Sequence, residues 1–311
     1  MEREKLLHKL SNVIPSQQIL TKECMAQHTT FRVGGPADLF VEIDTAKQLQ
    51  AVLEVLRLEG ISKLNHDFYL IGNGSNLLVS DKGICAVVLH LSKQYSHITV
   101  EGDTLLCEAG ATLASIAKVA YDHALSGFEF ASGIPGSLGG AIVMNAGAYD
   151  KEMKQVVERV RLMTPDGMIV EKNTEQMQFS YRHSIVKEKE FIVVDALIRL
   201  EKGEPSEIQR KMEDLATRRR TKQPLEYPSA GSTFKRPTGY FAAKLIEDAG
   251  LRGFSVGGAQ VSTKHCGFVI NQNNATAQEI YTLIREIQKR VYITSGVTIE
   301  PEVICLGSFV E

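Results

Sequence analysis

Residues 125–149 constrain this chain more than any other stretch. They carry glycine at 127, 133, 136, 139, 140 and 147 among small and apolar residues, and Glu129 is their single charge. Glycine lets a backbone take positive φ and approach a ligand with no Cβ in the way. Runs of free N–H groups in such loops form concave anion sites. A long, nearly uncharged, glycine-punctuated stretch therefore fits a large flat cofactor lying against main chain. It fits equally well a buried glycine-rich turn, or a segment packed under another domain.

The rest of the composition narrows the class. At 311 residues the chain exceeds the usual size of one core, so two or three domains are expected. Apolar and charged contents of 43% and 23% are those of a soluble globular enzyme. A net charge of −2 gives no basic field to gather nucleic acid. Cysteines 24, 85, 107, 266 and 305 are widely spaced with no Cys-x-x-Cys, which points to reduced thiols in a cytoplasm. The histidines form no His-x-His or His-x-x-x-His pair, so no catalytic metal is expected. No apolar run approaches the ~20 residues of a membrane span, and the N-terminus lacks the apolar core of a signal peptide.

In chain order, the pattern predicts a short polar helix before Pro15, a strand at 39–43 and a helix capped by Asp44 or Thr45. A strand at 68–71 runs into Gly72-Asn-Gly-Ser-Asn76 and then a strand at 77–79. This opening fails as a dinucleotide fingerprint. Leu77 stands where a third glycine belongs, and a strand rather than a helix follows. The loop can hold a pyrophosphate through its N–H groups and the Ser75 and Asn76 side chains, or it is a tight hairpin turn. From 86 to 200 short strands dominate, with a hairpin at Gly102-Asp103 and a helix capped by Thr112. A charged helix over 204–220 ends in Arg218-Arg-Arg-Thr-Lys222, a solvated helix end or a phosphate contact. A helix over 240–249 stops at Gly250, Thr276 and Glu279 form a capping box, and a final strand is expected through 297–306.

Six motifs occur together and in order: Thr30-Phe-Arg-Val-Gly-Gly-Pro-Ala-Asp38; Gly72-Asn-Gly-Ser-Asn-Leu-Leu78; Gly133-Ile-Pro-Gly-Ser-Leu-Gly-Gly-Ala141 with Met144-Asn-Ala-Gly-Ala-Tyr149; Ser180-Tyr-Arg-His-Ser184; Gly231-Ser-Thr-Phe-Lys-Arg-Pro237; and Gly296 to Glu302. Over roughly residues 20–307 the chain resembles the UDP-N-acetylenolpyruvoylglucosamine reductases, flavoenzymes of early peptidoglycan synthesis. The short segment between Arg182 and Asp195 resembles the subtype without an inserted substrate-capping loop.

The resemblance implies an α+β protein: an FAD-binding module of the vanillyl-alcohol-oxidase type and a C-terminal α+β substrate-binding domain. The implied division is 1–85 and 86–203 for two FAD-binding subdomains and 204–311 for the substrate domain, whose last strand can return to the FAD module. FAD is then bound non-covalently between the first two parts. Gly72, Asn73, Gly74, Ser75, Asn76 and Leu77, with Gly133, Ile134, Pro135, Gly136 and Ser137, surround the pyrophosphate. Gly140, Ala141, Asn145, Ala146, Gly147 and Ala148 line the flavin, and Arg32, Val33, Gly34 and Gly35 lie alongside.

By the same resemblance NADPH supplies a hydride to flavin N5, which passes to C3 of the enolpyruvyl group of a UDP-sugar. Ser232 protonates C2, while Arg182 and Glu302 stabilise the enolate. Arginine's planar fork suits a carboxylate better than lysine, and a Glu302 pushed up in pKa by burial would act protonated. Tyr181, Lys222 and Lys235 are candidate contacts to the nucleotide diphosphate, and His265 is expected to be structural. The family usually has arginine where this chain has Ile304. A cytoplasmic monomer is expected. Two other readings fit the same residues less fully: an oxidase or dehydrogenase on the same FAD scaffold, and a silent nucleotide-binding protein.

Overall fold

The computed structural model describes residues 3–63 and 65–310. The chain divides into two compact units. One comprises Met1–Thr21, Leu39–Gly72 and Ala86–Thr217; the other comprises Lys22–Asp38, Asn73–Cys85 and Arg218–Glu311. Each has its own apolar core. No helix among the described residues is long and apolar enough to cross a membrane.

The first unit is built on a five-stranded antiparallel sheet in the order Ile169–Asn173, Val157–Met163, Ile192–Arg199, Thr104–Glu108, Ile98–Glu101. The Gly102-Asp103 hairpin closes the last pair, with Glu101 opposite Thr104. Strand 192–199 is central and almost wholly buried, and its apolar residues flank a buried Asp195 that pairs with Arg161. Phe68–Ile71 pairs in parallel with Val87 to His90 in a separate sheet. The same unit holds the helix Ala46–Leu58. The Thr45 hydroxyl accepts the Gln48 amide, and Leu49, Val52, Leu53 and Leu56 are buried as their spacing predicts. Thr112 caps Leu113–Asp122 in the same way.

The second unit centres on the helix Ala277–Ser295. Its capping box is formed by Thr276 and Glu279, and Gly296 ends it at φ +72°. Ile280, Leu283, Ile284, Ile287 and Val291 are buried, each contributing about 1.5–3 kcal/mol. They pack with the antiparallel strands Ser255–Val256, Ala259–Val261 and Val269–Asn271. The segments from the first third of the chain belong structurally to this unit. Leu77–Val79 pairs in parallel with Ile304–Leu306, and the Asp81 carboxylate accepts the amides of Ala277 and Gln278 at 2.8 and 2.9 Å.

Three expectations are corrected. The final strand is confined to Ile304–Leu306 rather than 297–306. Pro301 has no N–H to give a ladder, and around it only Phe234 and Pro301 form a bridge. The helix expected from 240 begins at Ala242. The Gly72–Asn76 loop is not a hairpin turn, because the strands on its two sides pair in different sheets.

Candidate functional site

In the first unit the glycine-rich stretch is fixed by its main chain. Leu113 donates its amide to Gly136, while Leu138 and Gly139 donate to Ala111 and Ala109, all at 2.8–3.0 Å. These bonds hold Ser137 and the short helix Leu138–Val143 against segment 109–113. The approach to strand 68–71 is so close that a Cβ on Gly72 would lie 2.1 Å from Ser137 Oγ. A Cβ on Gly147 would lie 2.4 Å from the Lys151 carbonyl. Gly140 is different: it is exposed, and its nearest neighbour would be Ser137 Oγ at 3.7 Å.

Asn145 is fully buried at φ +42°. Its side-chain amide donates to Glu152 Oε2 and the Ser180 carbonyl, and its oxygen accepts the Lys154 amide. It thus ties the glycine stretch to the turn that carries Arg182. Ser180 and His183 exchange amide–carbonyl bonds of 3.1 Å across that turn. Ser184 Oγ donates to Val143 O, and Lys187 Nζ donates to the Arg182 carbonyl. Arg182 itself sits at φ +55°, a region that non-glycine residues occupy at a cost of about 1–2 kcal/mol. Its guanidinium lies over the exposed Tyr181 ring, 5.1 Å from the centroid.

Glu129, the stretch's lone charge, is buried. It accepts the Ser126 hydroxyl at 2.7 Å and the Gly127 amide at 2.9 Å, with Lys211 Nζ 3.8 Å away. Burial alone would raise its pKa; the hydrogen bonds and Lys211 outweigh that and lower it.

In the second unit the segments that carry Ser232 and Glu302 pair. Both are extended, and they are joined through Glu302 N to Thr233 O at 2.8 Å and Lys235 N to Glu300 O at 2.9 Å. Thr233, Phe234 and Val303 are buried, Ser232 is exposed and Glu302 is half-buried. Thr233 is locked further, donating its amide to Gly267 O and accepting the Val269 amide on Oγ1. Asn76 joins the same group. Its side chain donates to the Glu302 carbonyl at 3.0 Å, and its own carbonyl accepts the Ile304 amide at 2.9 Å. The Ile304 side chain is exposed.

Gly74, at φ +59°, packs so tightly on the segment before Thr30 that a Cβ would sit 1.9 Å from the His28 carbonyl. Among the described residues, the amides of Asn73, Gly74, Ser75 and Asn76 donate to no protein acceptor. Four successive amides of this kind, with glycines that permit close approach, fit a pyrophosphate. Arg32, at φ +57°, is exposed, and Gly34 and Gly35 pack on Val79 and Asp81.

Arg182 belongs to the first unit, and Ser232 and Glu302 to the second. Lys235 pairs with Glu300 at 2.9 Å. Lys222 ends the helix Pro205–Lys222 and is exposed. His265 accepts the Gly267 amide on Nδ1 and meets the Phe268 ring edge-on, and burial lowers its pKa. Sequence reasoning missed the residues that hold these groups in place: Asp81, Glu152, Thr233 and Asn271, whose side chain donates to the Phe31 carbonyl. Of these only Asp81, in an Asp-Lys-Gly turn, carried a local signal.

Comparison with known proteins places the chain among the flavoprotein oxidoreductases. The profile of an FAD binding domain matches residues 37–173. That of the C-terminal domain of UDP-N-acetylenolpyruvoylglucosamine reductase matches 223–306. A UDP-N-acetylenolpyruvoylglucosamine reductase of Caldanaerobacter subterraneus subsp. tengcongensis is 52% identical over 98% of this chain and 99% of its own. One of Clostridioides difficile is 48% identical over 99% of both. The crystal structure of the reductase of Thermus caldophilus, 31% identical, aligns with a TM-score of 0.78 over 92% of this chain and 98% of that one. The chain belongs to the UDP-N-acetylenolpyruvoylglucosamine reductase family. A grass pollen allergen with glucose dehydrogenase activity, Phl p 4, is 17% identical with a TM-score of 0.51 and shares the fold alone over 64% of this chain.

Proposed function

We propose that the chain uses NADPH to reduce UDP-N-acetylglucosamine enolpyruvate to UDP-N-acetylmuramate in the cytoplasm, with Ser232 as the proton donor. The pairing of the Ser232 and Glu302 segments is the observation that carries this reading. It puts the residue that bears the hydroxyl and the residue that bears the carboxyl on adjacent, hydrogen-bonded extended segments.

The amides of Asn73 to Asn76 and the backbone of Gly133 to Ser137 would hold the pyrophosphate of FAD, with Gly140 to Ala148 against its ring. FAD, when bound, supplies the two-electron redox chemistry. The protein supplies the proton and the charge stabilisation. As C3 of the enolpyruvyl group gains a hydride, charge spreads from C2 into the carboxylate. Arg182 pairs with that carboxylate through its planar fork. Glu302, protonated at this step, donates to the same enolate. Ser232 then gives its proton to C2. A serine hydroxyl is a weak acid, so the step depends on a basic carbanion and a fixed geometry, and Thr233 provides the fixing. Tyr181, Lys222 and Lys235 contact the diphosphate. For Lys235 this means giving up Glu300. The division at 85 and 203, and the monomeric state, belong to the same proposal.

Anaerobic spectroscopy tests it. NADPH should bleach the flavin band of the purified protein, and the enolpyruvyl nucleotide should restore it. A band restored only by oxygen would put an oxidase-like reaction in place of this one.

A further inference from the structure

The loop after Ser232 carries a feature the reaction does not use. Gly231 and Gly239, at φ +73° and +79°, bracket the segment, and a Cβ at either would meet nothing within 4 Å. Within it Arg236 lays its guanidinium over the Phe241 ring, 4.0 Å from the centroid. Phe241 is nevertheless 60% exposed.

Its position makes that exposure unusual. Phe241 is the residue preceding the helix Ala242–Asp248, with φ −115° and ψ 118°, and its side chain makes no capping bond. Serine, threonine, aspartate or asparagine would serve the helix there; phenylalanine does not. The ring neither fills a core nor caps a helix. A flat aromatic face with an arginine plane on one side is the arrangement that stacks a nucleobase.

The distance to the chemistry suits that role. Residues 233–235 are held extended by their pairing with 300–302. From Ser232 to Arg236 is thus roughly 13 Å, at about 3.3 Å per residue. A nucleoside diphosphate sugar reacts at its sugar end and carries its base at the far end of a diphosphate and a ribose.

We propose that Phe241 is the stacking surface for the pyrimidine base of the nucleotide substrate, and that Arg236 orients the ring while turning N–H groups to the diphosphate. The assignment rests on the nucleotide-sugar reading above and extends it to base recognition.

Calorimetric titration of the FAD-loaded protein with UDP and, separately, with inorganic pyrophosphate tests it. Phe241→Ala should weaken UDP binding by roughly 5- to 150-fold, the range of base–aromatic stacking, and leave pyrophosphate binding as in the parent. Phe241→Tyr should restore most of the UDP affinity. Arg236→Ala should weaken both ligands. In turnover the Phe241→Ala loss should fall on KM for the nucleotide more than on kcat. UDP affinity unaltered in Phe241→Ala, or an equal loss for UDP and pyrophosphate, overturns the stacking role. A parent protein that binds no UDP overturns the nucleotide reading itself.

Discussion

The glycine-rich stretch and the paired segments 232–235 and 300–302 are built in opposite ways. The first offers main chain. Its side chains are absent or consumed internally, as with Asn145 and Glu129, and its geometry is set by contacts that leave no room for a Cβ at Gly72 or Gly147. The second offers side chains. Its main chain is consumed in pairing, and Ser232 and Glu302 project from it. Substitutions should therefore separate. Changes in the first region should be felt in folding and cofactor affinity, and changes in the second in rate.

The largest effect expected is that of Ser232→Ala. Losing a positioned general acid typically costs about 10²–10⁴ in rate. The melting temperature should hold, because the side chain is exposed. Stopped-flow measurement of flavin reoxidation by the enolpyruvyl nucleotide checks this, and a variant that turns over at the parent rate removes Ser232 from the chemistry. Gly147→Ala should do the reverse. Its Cβ would press on the Lys151 carbonyl at 2.4 Å, backbone that cannot move aside as a flexible side chain could. Overpacking of this kind costs about 1–3 kcal/mol or more, read as a lower denaturant midpoint. Unchanged stability would break the contrast between the two regions.

Glu129 gives the contrast a pH dependence. Its pKa in the folded chain is held below its ordinary value of 4.5, so the unfolded chain takes up the proton first as pH falls. The stabilisation is present above the unfolded value and is lost as pH drops through the lowered folded value. Glu129→Gln should cost about 1 kcal/mol near neutrality and flatten this acid limb. Urea midpoints from pH 6 down to pH 3 provide the check; a limb of parent slope in the variant would assign the acid sensitivity elsewhere.

Much of this was legible in the sequence, for a physical reason. Period and capping are local, so the helix 46–58, capped by Thr45 of the two candidates Asp44 and Thr45, the 276/279 capping box and the 102–103 hairpin stand where the pattern put them. What was not legible depends on distant partners. Nothing near Asp81 says that it caps a helix beginning at Ala277, and nothing near Asn76 says that its amide reaches the Glu302 carbonyl. The strand expected at 297–306 failed for the same reason. Val297 to Val303 has the composition of a strand, but its hydrogen bonds are set by what lies beside it, and there residues 233–235 offer just a short pairing around Pro301. The candidate residues themselves came from six motifs in register rather than from periodicity. Only the structure showed that the segments of Ser232 and Glu302 pair through Thr233.

Gly140→Ala probes the comparison most finely, because there the two demands on a glycine part company. Gly140 lies inside the helix Leu138–Val143, where alanine is favoured over glycine by about 1 kcal/mol. It is exposed, and a Cβ would touch nothing closer than Ser137 Oγ at 3.7 Å. Folding alone therefore prefers alanine, and the apoprotein should gain up to about 1 kcal/mol in a denaturant titration. If the glycine is there so that the flavin can lie against bare main chain, FAD should bind the variant roughly tenfold or more weakly, an opposing change of about 1.4 kcal/mol. Fluorescence titration of the apoprotein with FAD measures it. A more stable variant with parent affinity would mean that the cofactor does not touch Gly140, and that the main-chain surface it uses stops short of this helix.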